Sequence, residues 1–223
     1  MADNQTIMNI QKKLIRKMTA GAVLFADIET AIPDKLTSGA DAEFTVPTGF
    51  TSLGAVSKDG SPSFTPETET SEVESWGLLE PSRTDIITRT TNVAWTSQET
   101  NKRVLGLYHN VDLDDVTADA TTGETEFADP TSPDVIYHRA MFVGIDGQGE
   151  NAVYIVKVCP QFTITEVGEQ TWNADNAVEY QLTGQAKVDE ELGYAVKTVF
   201  CGPGWKKIAA AAGFAEGDDT ENP

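Results

Sequence analysis

Apolar positions along the chain recur with two different periods. Ile7, Ile10, Leu14, Ile15 and Met18 fall at helical spacing, with Lys12, Lys13, Arg16 and Lys17 largely off that stripe, which predicts a short amphipathic helix over residues 6–18. From Val23 onward the pattern changes to short extended runs separated by turn chemistry: Ala31-Ile32-Pro33-Asp34, Ser38-Gly39, Lys58-Asp59-Gly60 and Asp146-Gly147-Gln148-Gly149. The clearest alternation lies between Val178 and Val188, where Val178, Tyr180, Leu182, Gly184, Ala186 and Val188 interleave with polar residues, so that strand has one buried and one wet face. Glu190-Glu191-Leu192-Gly193 then predicts a turn into Tyr194–Cys201, with the two strands pairing antiparallel. A second long strand is predicted over Arg83–Ser97, with Ile87, Thr91, Val93 and Trp95 on one side. An open edge of that length templates association unless it is covered or joined to another subunit. Helical character returns at 99–108, where Val104, Leu107 and Tyr108 share a face, and at 205–212 after Gly202-Pro203-Gly204.

Composition supports a mainly β chain. Twenty-seven threonines among 223 residues favour pleated, half-buried surfaces, because β-branched side chains lose rotamer freedom in a helix. The apolar share of 39% is enough for a true core. The organisation expected is an amphipathic arm at 1–20, one β-rich domain at 21–214 and an acidic tail at 215–223. A net charge of −19 argues against non-specific binding of nucleic acid phosphates. The basic helix at 6–18 contradicts that balance; docking on its own domain or on an acidic neighbour suits it better than a membrane surface. Between Val111 and Val135 lie eight acids and no base, which predicts a long surface loop at 111–134. No basic start leads directly into an apolar core, so no export signal is expected, and no apolar run reaches the ~20 residues needed to span a bilayer.

Catalytic chemistry has no clear anchor. Gly147-Gln148-Gly149-Glu150-Asn151-Ala152 matches a loose dinucleotide pattern, but the β-branched run Val153–Val158 follows where a helix N-terminus is required, so the glycines are expected to close a hairpin. Asp112, Asp114 and Asp115 lack the glycine and glutamate positions of a calcium loop. His109, His138, Cys159 and Cys201 lack the paired spacing of a zinc site, and the two cysteines are expected as buried thiols. His109 is expected to end a helix and His138 to lie in a strand, with no Gly-x-Ser-x-Gly elbow near either. The expectation is a protein that is not an enzyme and holds no cofactor and no metal.

A resemblance then emerges from ordered motifs. They are Phe50-Thr51-Ser52-Leu53-Gly54-Ala55-Val56-Ser57-Lys58-Asp59-Gly60, Trp76, the threonine-rich stretch Asp85–Trp95, and Glu99-Thr100-Asn101-Lys102-Arg103-Val104-Leu105-Gly106-Leu107-Tyr108. In order and type the chain from about 21 to 214 resembles the major tail (tail tube) protein of long, non-contractile-tailed bacteriophages of actinobacteria. The resemblance implies an antiparallel β-sandwich or split barrel with one or two short flanking helices. It implies six-fold rings stacked into a hollow tube for genomic DNA, which passes without specific binding. It further implies a tape-measure protein in the lumen, tail terminator and distal tail proteins as partners, and assembly in the host cytoplasm into the virion. Subunit-interface candidates carried over from the family's helix are Glu99, Thr100, Asn101, Lys102, Leu105 and Tyr108, whose alternative role is to cover the sheet. Ile10, Lys13, Leu14 and Arg16 are expected in ring-to-ring contact, and Asp112, Asp114 and Asp115 in outer decoration or contact. The competing expectation is a β-sandwich adhesin that binds carbohydrate or calcium through 111–134.

Overall fold

A computed structural model describes residues 7–214 and is mainly β. Its principal sheet has eight antiparallel strands. Along one path run β4 (Thr51–Ser52), β1 (Ala20–Asp27), β7 (His138–Asp146), β8 (Val153–Val167), β9 (Tyr180–Lys187), β6 (Arg83–Ser97) and β5 (Ser63–Val73), and β10 (Lys197–Cys201) pairs with β8 off that path. A separate two-stranded piece joins β2 (Thr37–Ser38) to β3 (Glu43–Phe44). Two helices flank the sheet, α1 (Lys102–His109) and α2 (Pro203–Ile208).

Both faces of the central strands are buried, so β1 and β7 carry continuous apolar runs, Val23–Ala26 and Ala140–Val143. On one face Val23, Phe25, Val93, Trp95, Phe142 and Phe162 form the main cluster, and α1 adds Val104 and Leu107. On the other, Leu24, Met141, Val143, Val156 and Val158 meet Leu36 and Phe50 from the excursion between β1 and β4. The sheet curls around the first cluster until Phe25 on β1 lies 5.7 Å, ring to ring, from Trp95 on β6. The strand ladder does not close into a barrel. A lone bridge from Val56 to Ser97, with Ser57 N–H donating to Thr96 O at 2.8 Å, links the chain beyond β4 to the end of β6.

β8 is the strand at which the sheet divides. Its first half, Tyr154–Val158, lies beside β10, and its second half, from Gln161, lies beside β9. Pro160 falls between the two, where a missing N–H costs nothing, and the extra residue at this point makes a bulge against β7. Arg139 donates both to Pro160 O, at 2.7 Å, and to the Asp189 carboxylate that opens the β9–β10 turn. The same carboxylate accepts Leu192 N–H and Glu191 N–H, each at 3.0 Å. The Leu192 bond, then the Arg139 bond, hold its pKa below the usual carboxylate value.

Several expected elements are present. β6 has the expected bounds, the Gly147 and Gly149 turn joins β7 to β8 as a hairpin, and Gly193 takes a positive φ of 75° in the β9–β10 turn. Other expectations are corrected. The helix over 6–18 does not run through its described part: Ile7 and Met8 are helical, but Asn9 has φ 42° and only a 3-10 turn at Lys12–Leu14 follows. Lys12 with Arg16 and Lys13 with Lys17 are like-charge pairs at i, i+4, which oppose a helix. The segments 178–188 and 194–201 do not pair beyond the bridge of Asp189 with Tyr194. β10 joins β8 instead, where Val199 and Cys201 reach the second apolar cluster. The acidic tail expected at 215–223 lies outside the described residues.

Because its native pKa is lowered, Asp189 adds stability above the unfolded-state value near ~4, and that stability is lost as pH falls through the native pKa. Asp189→Asn keeps the turn's acceptor and removes the charge. Urea unfolding at pH 7 is expected to show a lower midpoint for the variant, and its stability is expected to fall less steeply than the parent's below about pH 4.

Candidate assembly surfaces

The cysteines and histidines are engaged in the fold. Burial pushes the Cys159 thiol up to about 12 and the Cys201 thiol to about 11, so neither is a ready nucleophile. Cys159 belongs to one apolar face of the sheet and Cys201 to the other, and both are free. His109 ends α1 as expected and meets Asp129 at 2.8 Å, while Phe127 packs on its ring. His138 begins β7; burial, with the nearby Arg103 guanidinium, holds its pKa below the ordinary imidazole value. Among the described residues no three His, Cys, Asp or Glu side chains gather as metal ligands. Nor is any described helix long and apolar enough to cross a membrane.

The loop at 111–134 has no strand or helix, and several of its acids serve its own turns. Asp119 accepts Thr121 N–H and Thr122 N–H at 2.9 and 2.8 Å; the Thr122 bond, then the Thr121 bond, lower its pKa. Asp112 accepts Asp114 N–H at 2.8 Å. Lys102 anchors the loop by donating to Asp114 O at 2.7 Å and to Val116 O at 3.2 Å.

The helix motif is likewise engaged within the chain. Asn101 is the N-cap of α1, accepting Val104 N–H at 3.0 Å while its amide donates to Leu53 O at 2.9 Å. Glu99 accepts Ala55 N–H at 2.7 Å, Thr100 meets the Tyr180 hydroxyl at 2.9 Å, and Tyr108 donates to Gly168 O at 2.7 Å. Leu105 packs on the main cluster. This set pins the 53–55 segment and β9 to one helix, and its polar groups are occupied there. In the N-terminal segment Arg16 pairs with Asp146 at 3.1 Å, Leu14 is half-buried, and Ile10 and Lys13 are exposed.

The surface without an intramolecular partner lies elsewhere. β6 pairs with β5 along its length, but with β9 only over Thr91–Ser97. Residues 67–73 and 83–90 therefore project as a two-stranded ribbon, about 20 Å long at ~3.3 Å per residue, with both outer edges open. The open edges anticipated from the length of β6 are thus β5 and the first half of β6. Pro66 sits on the edge strand, where its missing donor is tolerated. The tip carries Trp76 and Leu79 at full exposure, 106% each, with Leu78 and Val73 also exposed, and Ile86 and Ile87 are exposed midway along the ribbon. Such a concentration of apolar side chains on a projecting element marks an interaction surface. Of these residues the ordered motifs included Trp76, Ile86 and Ile87; Val73, Leu78 and Leu79 stand in a stretch whose periodicity gives no sign of exposure.

A family model described as phage tail tube protein matches residues 8–193. The chain belongs to the phage tail tube protein family and is a structural component of a phage tail. Among solved structures, a chain of the virion of a native gene transfer agent (GTA) particle aligns over 69% of this chain and 92% of its own. Its identity is 11% and its TM-score 0.37. No curated protein matches.

Two stability measurements separate these roles. Asn101→Ala removes a cap and a second hydrogen bond and is expected to cost about 1–2 kcal/mol in urea unfolding. Trp76→Ser combined with Leu79→Ser is expected to stay within about 0.5 kcal/mol of the parent, because neither side chain belongs to the core.

Proposed function

We infer that this chain is the tube subunit of a non-contractile phage tail, in which six copies form a ring and rings stack into a hollow conduit for genomic DNA. The projecting hairpin carries this reading. A two-stranded ribbon that packs against nothing is marginal in water, and an apolar tip of this size favours burial against another copy. The open edges of β5 and β6 offer the backbone groups through which neighbouring sheets join. The charge of −19 suits a wall that repels phosphates and lets DNA slide without sticking.

Within that assembly Ile10, Lys13, Leu14 and Arg16 contribute ring-to-ring contact. Asp112, Asp114 and Asp115, all exposed, lie on an outer contact surface. Glu99 to Tyr108 act at the ring interface through the loop and sheet edge that they position. A tape-measure protein occupies the lumen during assembly in the host cytoplasm, and terminator and distal tail proteins close the two ends.

Replacing residues 67–90 by Asn-Gly keeps Pro66 opposite Thr91 across a two-residue turn. The variant is expected to unfold cooperatively like the parent and to form no tubes in negative-stain electron microscopy, under salt and concentration at which the parent does. Tubes of unchanged diameter and repeat from the variant would contradict the assignment.

A further inference from the structure

The projecting tip has a complementary surface on the same chain. Between the start of β1, the 54–62 segment and the root of β5 lies a groove of about 530 Å³. Its apolar walls include Met18, Ala22, Val56, Pro62, Phe64 and Ile155. Its charged members are Lys58 and Lys157, and no acid lines it, a local reversal of sign in a chain with 35 acids and 16 bases. Lys157 Nζ stands 4.8 Å from the centroid of the Phe64 ring and so fixes a wall while keeping its charge at the opening.

The hairpin has the opposite character. Residues 67–80 include Glu67, Glu69, Glu72, Glu74 and Glu80 and no base, and they frame the exposed Trp76 and Leu79. A chain's own tip is distant from its own groove: β5 runs from Phe64 in the groove wall to Val73 at the tip, nine residues or about 30 Å. Tip and groove are different surfaces on one molecule, which is the condition for a head-to-tail contact that propagates.

We propose that the hairpin tip of one copy, led by Trp76 and Leu79, seats in this groove of a second copy, with Glu74 and Glu80 facing Lys58 and Lys157. The proposal rests on the tube-subunit reading and supplies the receptor for its arm. A tryptophan in a desolvated pocket with charges at the rim has the composition of an interface hot spot. Charge complementarity sets which end of the arm's neighbour is chosen, because the rest of the acidic surface repels the glutamates.

Cross-linking between two singly substituted proteins tests the contact. Ser75→Cys places a thiol beside Trp76 and Ser57→Cys places one in the groove lining, while the native thiols are buried. The proteins are mixed under assembly conditions and treated with a short bis-maleimide, with the parent as control. Covalent dimers are expected only when both variants are present. Tubes that form without that cross-link, or dimers from Ser75→Cys alone, overturn the groove assignment and leave the tube-subunit reading standing. A parent that forms no polymer at any salt or concentration overturns the tube reading, and the docking with it. In a second arm, Lys58→Glu is expected to raise the concentration needed for assembly roughly threefold, and Glu74→Lys in the same chain to restore it. Failure of that restoration overturns the charge pairing.

Discussion

Ring packing among Phe25, Trp95, Phe142 and Phe162 is the interaction on which the remaining architecture depends. Three strands separate β1 from β6 in the sheet order, so a flat sheet would hold them about 19 Å apart at ~4.8 Å per strand. Their side chains Phe25 and Trp95 instead lie 5.7 Å apart, and Phe142 and Phe162 fill the space between with edge-on contacts at 5.5 to 5.8 Å. Each such pair contributes about 0.5–1.5 kcal/mol beyond its buried area. The cluster curls the sheet and holds the Trp95 end of β6 inside. The other end of the same strand then has no sheet beneath it and leaves the body with β5.

The division of β8 at Pro160 extends the consequence to the opposite side of the molecule. Because β9 pairs only from Gln161 onward, Tyr154–Val158 has a free edge that β10 occupies. Arg139 and Asp189 secure the switch between these partners, one from β7 opposite the bulge and the other from the turn that must change direction. The arrangement leaves Ile155 and Lys157 lining the groove beside β1, so the groove and the projecting arm follow from one folding pattern.

Elements governed by local chemistry were legible in the sequence. The threonine-rich run at 83–97, the helical spacing at 99–108 and the glycine turn at 147–149 carry their signals within a few residues, and each forms close to its expected place. Strand partnership was not legible, since the segment 194–201 alternates equally well beside β9 or β8 and the choice is made by Pro160 and the second apolar cluster. The apolar stripe within 6–18 had the spacing of a helix, but the bases beside it, Lys12 with Arg16 and Lys13 with Lys17, repel one another at that spacing. At the assembly surface, Trp76 entered through the family motif, yet nothing local distinguishes an exposed Leu79 from a core leucine. Exposure there results from how far β9 extends, which is a property of the folded sheet.

On the proposed reading, the subunit has a packed core and an arm that takes its stability from a neighbouring copy. Hydrogen exchange at residues 67–73 and 83–90 measures that dependence directly, with the amides of β7 and β8 as internal reference. In the free subunit the arm is expected to exchange rapidly while the reference strands are protected, and in the assembled tube the arm is expected to become slow. Arm amides that exchange as fast in the tube as in the free subunit would contradict the claim that the hairpin is the element completed by another copy.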